Sequence, residues 1–88
     1  MSEPLRTVAV DHIARILGER SEDIVRQPRL DQYPGFSSFR MVDIVETLEE
    51  RFDVTVPPDD LTADNLRNAD RLIAALTRAQ RAGKVRTP

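Results

Sequence analysis

Residues 35–52 read Gly35-Phe36-Ser37-Ser38-Phe39-Arg40-Met41-Val42-Asp43-Ile44-Val45-Glu46-Thr47-Leu48-Glu49-Glu50-Arg51-Phe52, and the architecture follows from this run. Met41, Ile44, Val45, Leu48 and Phe52 recur at steps of three and four, which places them on one face of a helix. Asp43, Glu46, Glu49 and Glu50 fall mostly off that stripe and are expected to face water. No Pro or Gly interrupts the run after Gly35. The spacing predicts a helix over 39–52, entered through Pro34-Gly35 and capped by Ser37 or Ser38, since serine commonly caps helix N-termini.

Working outward, Val54-Thr55-Val56 is stopped at once by Pro57-Pro58 and reads as an extended connector that plugs the core. A short helix is expected over 59–68, with Thr62 as its cap and Leu66 as its apolar contact. The last helix starts near Asn68, buries Ala69, Leu72, Ile73, Leu76 and Ala79, and ends at Gly83, leaving 84–88 to fray. On the N-terminal side, Leu5, Val8, Ala9, His12, Ile13, Ile16 and Leu17 form another helical face, with Pro4 suited to the first turn and Gly18 to the stop. Residues 19–37 break the pattern. Ser21-Glu22-Asp23 can cap one short turn, and Leu30, Tyr33 and Phe36 are the expected anchors of this long loop. The sum is an all-α fold: a small four-helix bundle of three longer helices and one short one, in a single domain ordered over about 4–82.

Composition narrows the function. Eighty-eight residues suit one small domain. The chain has no Cys and one His, which removes thiolate chemistry and multi-His metal sites and leaves any triad resting on His12 alone. His12 lies on the apolar side of its helix and reads as a structural residue. No apolar run approaches the roughly 20 residues of a membrane span, and no secretory leader is evident, so a cytoplasmic protein is expected. The net charge of −2 hides an asymmetry. Residues 41–66 carry one Arg against eight acids, whereas residues 67–88 carry six basic residues against Asp70. An acidic central helix argues against nucleic-acid binding. Carboxylates clustered on an exposed helix, with no convergent acid, base and nucleophile, argue against an enzyme.

The informative junction is the one that delivers two serines to a helix start. A helix N-terminus offers unpaired N–H groups and partial positive charge, so a phosphodiester is favoured there. A serine modified by another enzyme needs no local base. These residues reach a family. Gly35-Phe36-Ser37-Ser38-Phe39 resembles the G-x-D-S-L attachment motif of acyl and peptidyl carrier proteins, with Ser38 on the modified serine and Phe39 on the Leu. Val42 and Ile44 fall on the apolar positions that follow. Leu48-Glu49-Glu50-Arg51-Phe52-Asp53 is similar to the family's L-E-E-x-F-[GD] helix end, and Asp59-Asp60-Leu61-Thr62 with Asn65-Leu66 is similar to the "DLTPENF" stretch of stand-alone carriers. Two positions depart: Ser37 replaces the motif's Asp, and Arg40 stands where an acidic or polar residue is common.

The resemblance implies a stand-alone carrier that catalyses nothing itself. Ser38 would carry 4′-phosphopantetheine, transferred from coenzyme A by a phosphopantetheinyl transferase. The arm would hold an acyl or aminoacyl cargo as a thioester. Implied partners are an adenylating enzyme or acyltransferase that loads the arm, and synthase, ketosynthase, condensation or tailoring enzymes downstream, as in natural-product biosynthesis of the polyketide or nonribosomal-peptide type. They would dock on Asp43, Glu46, Glu49 and Glu50, with Phe36, Phe39, Arg40 and Met41 near the serine. No nucleic acid, membrane or metal is implied, and the protein would be a monomer. The alternative is a carrier-like interaction module that is not phosphopantetheinylated, which the missing Asp motivates.

Overall fold

A computed structural model describes residues 4–83. The described residues form five α-helices: α1 Leu5–Leu17, α2 Ser21–Arg26, α3 Ser38–Phe52, α4 Ala63–Leu66 and α5 Ala69–Arg81. One-turn 3₁₀ helices lie at Leu30–Gln32 and Pro58–Asp60. No β-strand occurs among the described residues, and the sole ladder element described is an isolated bridge between Arg29 and Asn68. The all-helical expectation therefore holds, with three long helices and two short ones.

The long helices begin and end for local reasons. Pro4 precedes α1 in an extended conformation. Gly18 closes α1 at φ 74, a left-handed geometry that glycine adopts without a Cβ penalty. The Glu19 N–H then reaches the Ala14 carbonyl at 2.8 Å. Ser37 caps α3 by accepting the Arg40 N–H at 3.1 Å. Asp53 ends α3 at φ 54, where only Gly, Asn and Asp are well tolerated. That requirement explains why Gly and Asp alternate in the helix-end pattern this segment resembles. Asn68 caps α5 by accepting the Arg71 N–H at 3.2 Å.

The core is one apolar cluster to which the 3₁₀ turn Pro58–Asp60 adds nothing and α4 adds the half-buried Leu66 at its margin. Ile13 of α1, Ile24 of α2, Leu30, Met41, Ile44 and Leu48 of α3, Val56, and Leu72 and Leu76 of α5 are fully enclosed. Each such side chain contributes roughly 1.5–3 kcal/mol relative to exposure. α1 packs against α2, α3 and α5, while α4 packs on α5. The Val54 and Val56 side chains are buried, so the connector does plug the core.

The structure departs from the sequence reading in three places. The segment after α1 is not one turn but a six-residue helix, α2, held by Ile24 in the core. Its Ser21 does not cap it; the Ser21 hydroxyl donates to Asp11 of α1 at 2.7 Å instead. The helix expected over 59–68 is a 3₁₀ turn followed by four residues of α4, because Pro57 and Pro58 and the Thr62 cap divide it. α5 stops at Arg81 rather than at Gly83, which follows at φ 69. The fraying expected for 84–88 lies outside the described residues. Leu30, Tyr33 and Phe36 do anchor the long loop, Leu30 fully buried and the other two packed against the core. The Tyr33 hydroxyl lies 2.6 Å from the Gln27 carbonyl and 2.8 Å from the Asp23 carbonyl, tying the loop to the end of α2.

Candidate functional site

The two serines at the start of α3 divide their work. Ser37 sits in the extended region at φ −155 and ψ 155, and its side chain and carbonyl both serve the first turn, taking the Arg40 N–H at 3.1 Å and the Met41 N–H at 3.0 Å. Ser38 is the first helical residue and is exposed. Its hydroxyl has no hydrogen-bond partner among the described residues. A helix start needs one cap, and Ser37 provides it; the Ser38 hydroxyl is left uncommitted.

The loop that presents Ser38 is held close to α1. A Cβ built on Gly35 would stand 2.4 Å from the Leu17 carbonyl oxygen and 3.1 Å from Arg40 Nη1. Glycine is required here by contact with its neighbours. The Arg40 guanidinium reaches back over the helix start and donates to the Gly35 carbonyl at 2.9 Å. No acidic residue lies in the first turn of α3. The charge at this N-terminus is therefore cationic, from the helix dipole and from Arg40 together.

Beside Ser38 is a cleft of about 250 Å³, with Phe36, Val42, Leu66 and Arg67 among its walls. A second hollow of about 290 Å³ shares Val42 and Leu66 and continues past Val45 and Leu61 to Glu46 and Glu49. Together they form a largely apolar groove that starts at Ser38 and follows α3 beneath α4.

The expected docking residues separate into two groups. Phe39 is 87% exposed, and Val42 at 50% extends the same apolar surface. Arg40, Asp43, Glu46 and Glu50 are also exposed. Met41 is not part of that surface: it is fully buried, as its place on the apolar stripe requires, and borders the cleft beside Ser38 from within. Glu49 is half-buried, and its Oε2 accepts the Val56 N–H at 2.7 Å. Its carboxylate holds the connector rather than facing water. Phe36 is half-buried against the core, with part of its ring in the cleft wall. Arg67 was not among the residues singled out from sequence, because only the fold brings the end of α4 to the cleft.

His12 belongs to a different region. It borders a space between α1 and α3 that also includes Leu48 and Arg51. Leu48 is about 15 Å along α3 from Ser38 at 1.5 Å per residue. Arg15 Nη2 lies 3.1 Å from His12 Nδ1, and guanidinium only donates, so the neutral ring carries its proton on Nε2. Nε2 is buried and has no partner. Burial, then the charges of Arg15 and Arg51, hold the imidazole below its ordinary value of 6.5. His12 is half-buried, in keeping with its place on the apolar face of α1. No cluster of metal-ligating side chains occurs among the described residues, and no described helix is long and apolar enough to cross a membrane.

Comparison with known proteins agrees with this geometry. The family model of the phosphopantetheine attachment site matches residues 8–76, more than three quarters of the chain, and spans α1 through most of α5. No curated protein and no solved structure gives a significant match. With a helical bundle, a serine at the head of α3 and this match over most of its length, the chain belongs to the phosphopantetheine-attachment family of acyl and peptidyl carrier proteins, whose members bear covalent 4′-phosphopantetheine.

Proposed function

We propose that Ser38 is the attachment residue and that the chain carries an acyl or aminoacyl cargo between enzymes of a natural-product pathway of the polyketide or nonribosomal-peptide type. The observation that carries this reading is the division of labour between the serines. Ser37 makes the cap, so Ser38 is exposed and uncommitted at a helix start that favours anions. The residues around it fit the group: a hydroxyl for the ester, N–H groups and Arg40 for the phosphate, and an apolar groove for the arm.

Loading joins the Ser38 oxygen to the phosphorus of coenzyme A that bears the pantetheine. The P–O bond to the departing 3′,5′-ADP breaks, and the hydroxyl proton passes to a base on the transferase. Ser38 needs no base of its own, which agrees with a chain whose one His lies on α1, beside Leu48 and Arg51 of α3 rather than beside the serine. When bound, the arm supplies the thiol that holds cargo as a thioester. This chain's own contribution is presentation. Phe39 and Val42 offer apolar contact, while Asp43, Glu46 and Glu50 steer basic partner surfaces toward the serine. The loading partner is an adenylating enzyme or an acyltransferase, and the later partners are synthase, condensation or tailoring enzymes.

Incubation of the purified protein with coenzyme A and a broad-specificity transferase, followed by intact mass measurement, tests the reading. One added arm that disappears in Ser38→Ala supports it. No mass gain with several transferases, or a gain that persists in Ser38→Ala, sinks it and favours a carrier-like module that works by binding alone.

A further inference from the structure

Among the described residues, Arg6, Arg20, Arg26, Arg29 and Arg78 each face a carboxylate at 2.6–3.4 Å. Two arginines near Ser38 do not. Arg40 is bonded through its side chain to a neutral carbonyl, that of Gly35. Arg67 lines the cleft that contains Ser38, and its exposed side chain has no ion-pair or hydrogen-bond partner among the described residues. Its backbone is fixed all the same: the Arg67 N–H donates to Ala63 at 3.0 Å, and its carbonyl accepts the Leu30 N–H at 2.7 Å. A side chain with an unneutralised charge is thus carried on a well-held backbone beside an uncommitted hydroxyl. The nearest acid along α3 is Asp43, five residues on, about 7.5 Å at 1.5 Å per residue.

We propose that Arg67, with Arg40, seats the phosphodiester of the arm on Ser38 and turns that arm into the groove between α3 and α4. This rests on the carrier reading above and adds to it a fixed course for the arm. The phosphodiester presents two non-bridging oxygens, which match the forked N–H geometry of a guanidinium. Arg40 approaches from the loop side of Ser38 and Arg67 from the α4 side, so the anion is held between two elements. From that seat the apolar surface of Val42 and Leu66 leads away from solvent. The pair also replaces, with opposite sign, the carboxylate that Ser37 lacks. The phosphate here is held by the chain's cations rather than placed beside an acid.

The test uses the loaded protein. Wild type, Arg67→Gln, Arg40→Gln and Arg67→Lys are converted with coenzyme A and a transferase, and loading is verified by mass. The ³¹P resonance of the phosphodiester and the rate at which a disulfide reagent modifies the arm thiol are then measured. Arg67→Gln is expected to move the resonance toward that of free phosphopantetheine. It is also expected to speed thiol modification by about threefold, the scale of an exposed ion pair. Arg40→Gln acts in the same direction, Arg67→Lys restores part of the effect, and roughly 1 M salt removes the difference. Unchanged resonances and thiol rates in both Gln variants overturn the inference and leave the carrier reading standing. Failure of wild type to gain an arm overturns both.

Discussion

Gly35→Ala tests the close approach that positions the Ser38 loop. The backbone of Gly35 is not in the left-handed region, so alanine costs nothing through φ. The cost comes from contact. The new Cβ would stand 2.4 Å from the Leu17 carbonyl oxygen, where ordinary contact begins at 3.4 Å. That carbonyl belongs to the last turn of α1 and cannot rotate away, so the loop must retreat by about 1 Å, an overpacking cost of about 1–3 kcal/mol. Arg40 Nη1, 3.1 Å from the same point, must also withdraw and weakens its bond to Gly35, about 1 kcal/mol more. The lower entropy of an unfolded chain with Ala returns roughly 0.4–1 kcal/mol. The net loss is about 2 kcal/mol, or about 8–16 °C in Tm for a domain of this size. Urea denaturation followed by far-UV circular dichroism measures it, with an unchanged slope confirming that the folded state is the one affected. Gly18→Ala is the comparison. It meets nothing within 4 Å but sits at φ 74, so its penalty is conformational, about 1–2 kcal/mol before the same entropic return. Gly35→Ala with stability within about 0.5 kcal/mol of wild type refutes the steric argument.

Two further outcomes follow from side chains near the core. Glu49→Ala leaves the Val56 N–H without its acceptor and should lower stability by about 1–3 kcal/mol, whereas a pure docking role for Glu49 predicts unchanged stability and weaker partner binding; chemical denaturation separates the two. His12 has a folded-state pKa below its ordinary 6.5, so the unfolded chain binds its proton first as pH falls. Its stabilising contribution is complete above 6.5 and is lost as pH falls through the lower folded value. Melting curves from pH 7.5 downward should show wild type losing stability relative to His12→Gln, and parallel curves would contradict the burial argument.

The long helices were legible because each buries a stripe at steps of three and four and carries a local cap. Ser37, Asn68 and Gly18 act within three or four residues of their own positions, which is the range over which sequence speaks directly. α2 was hard to read because one buried residue, Ile24, holds it, and its serine bonds to α1 instead of capping. Met41 satisfied two descriptions at once, a member of the apolar stripe and a neighbour of Ser38; burial settled it for the core. Glu49 looked like its exposed neighbours because its partner, Val56 N–H, lies beyond the helix end across a left-handed Asp53. Arg67 carried no local signal, since its place beside Ser38 is made entirely by the return of the chain through α4.

The bridge between residues 29 and 68 bears on how such a chain changes over evolutionary time. Leu30 N–H donates to the Arg67 carbonyl, and Ala69 N–H donates to the Pro28 carbonyl at 2.8 Å, so the long loop is strapped to the α4–α5 junction by main-chain atoms. Peptide groups are common to all residues, and the donors here need only avoid proline. Side chains at 29 and 67 are therefore free to drift without loosening the strap. The surface beside Ser38 can be rewritten while the loop that frames it keeps its path.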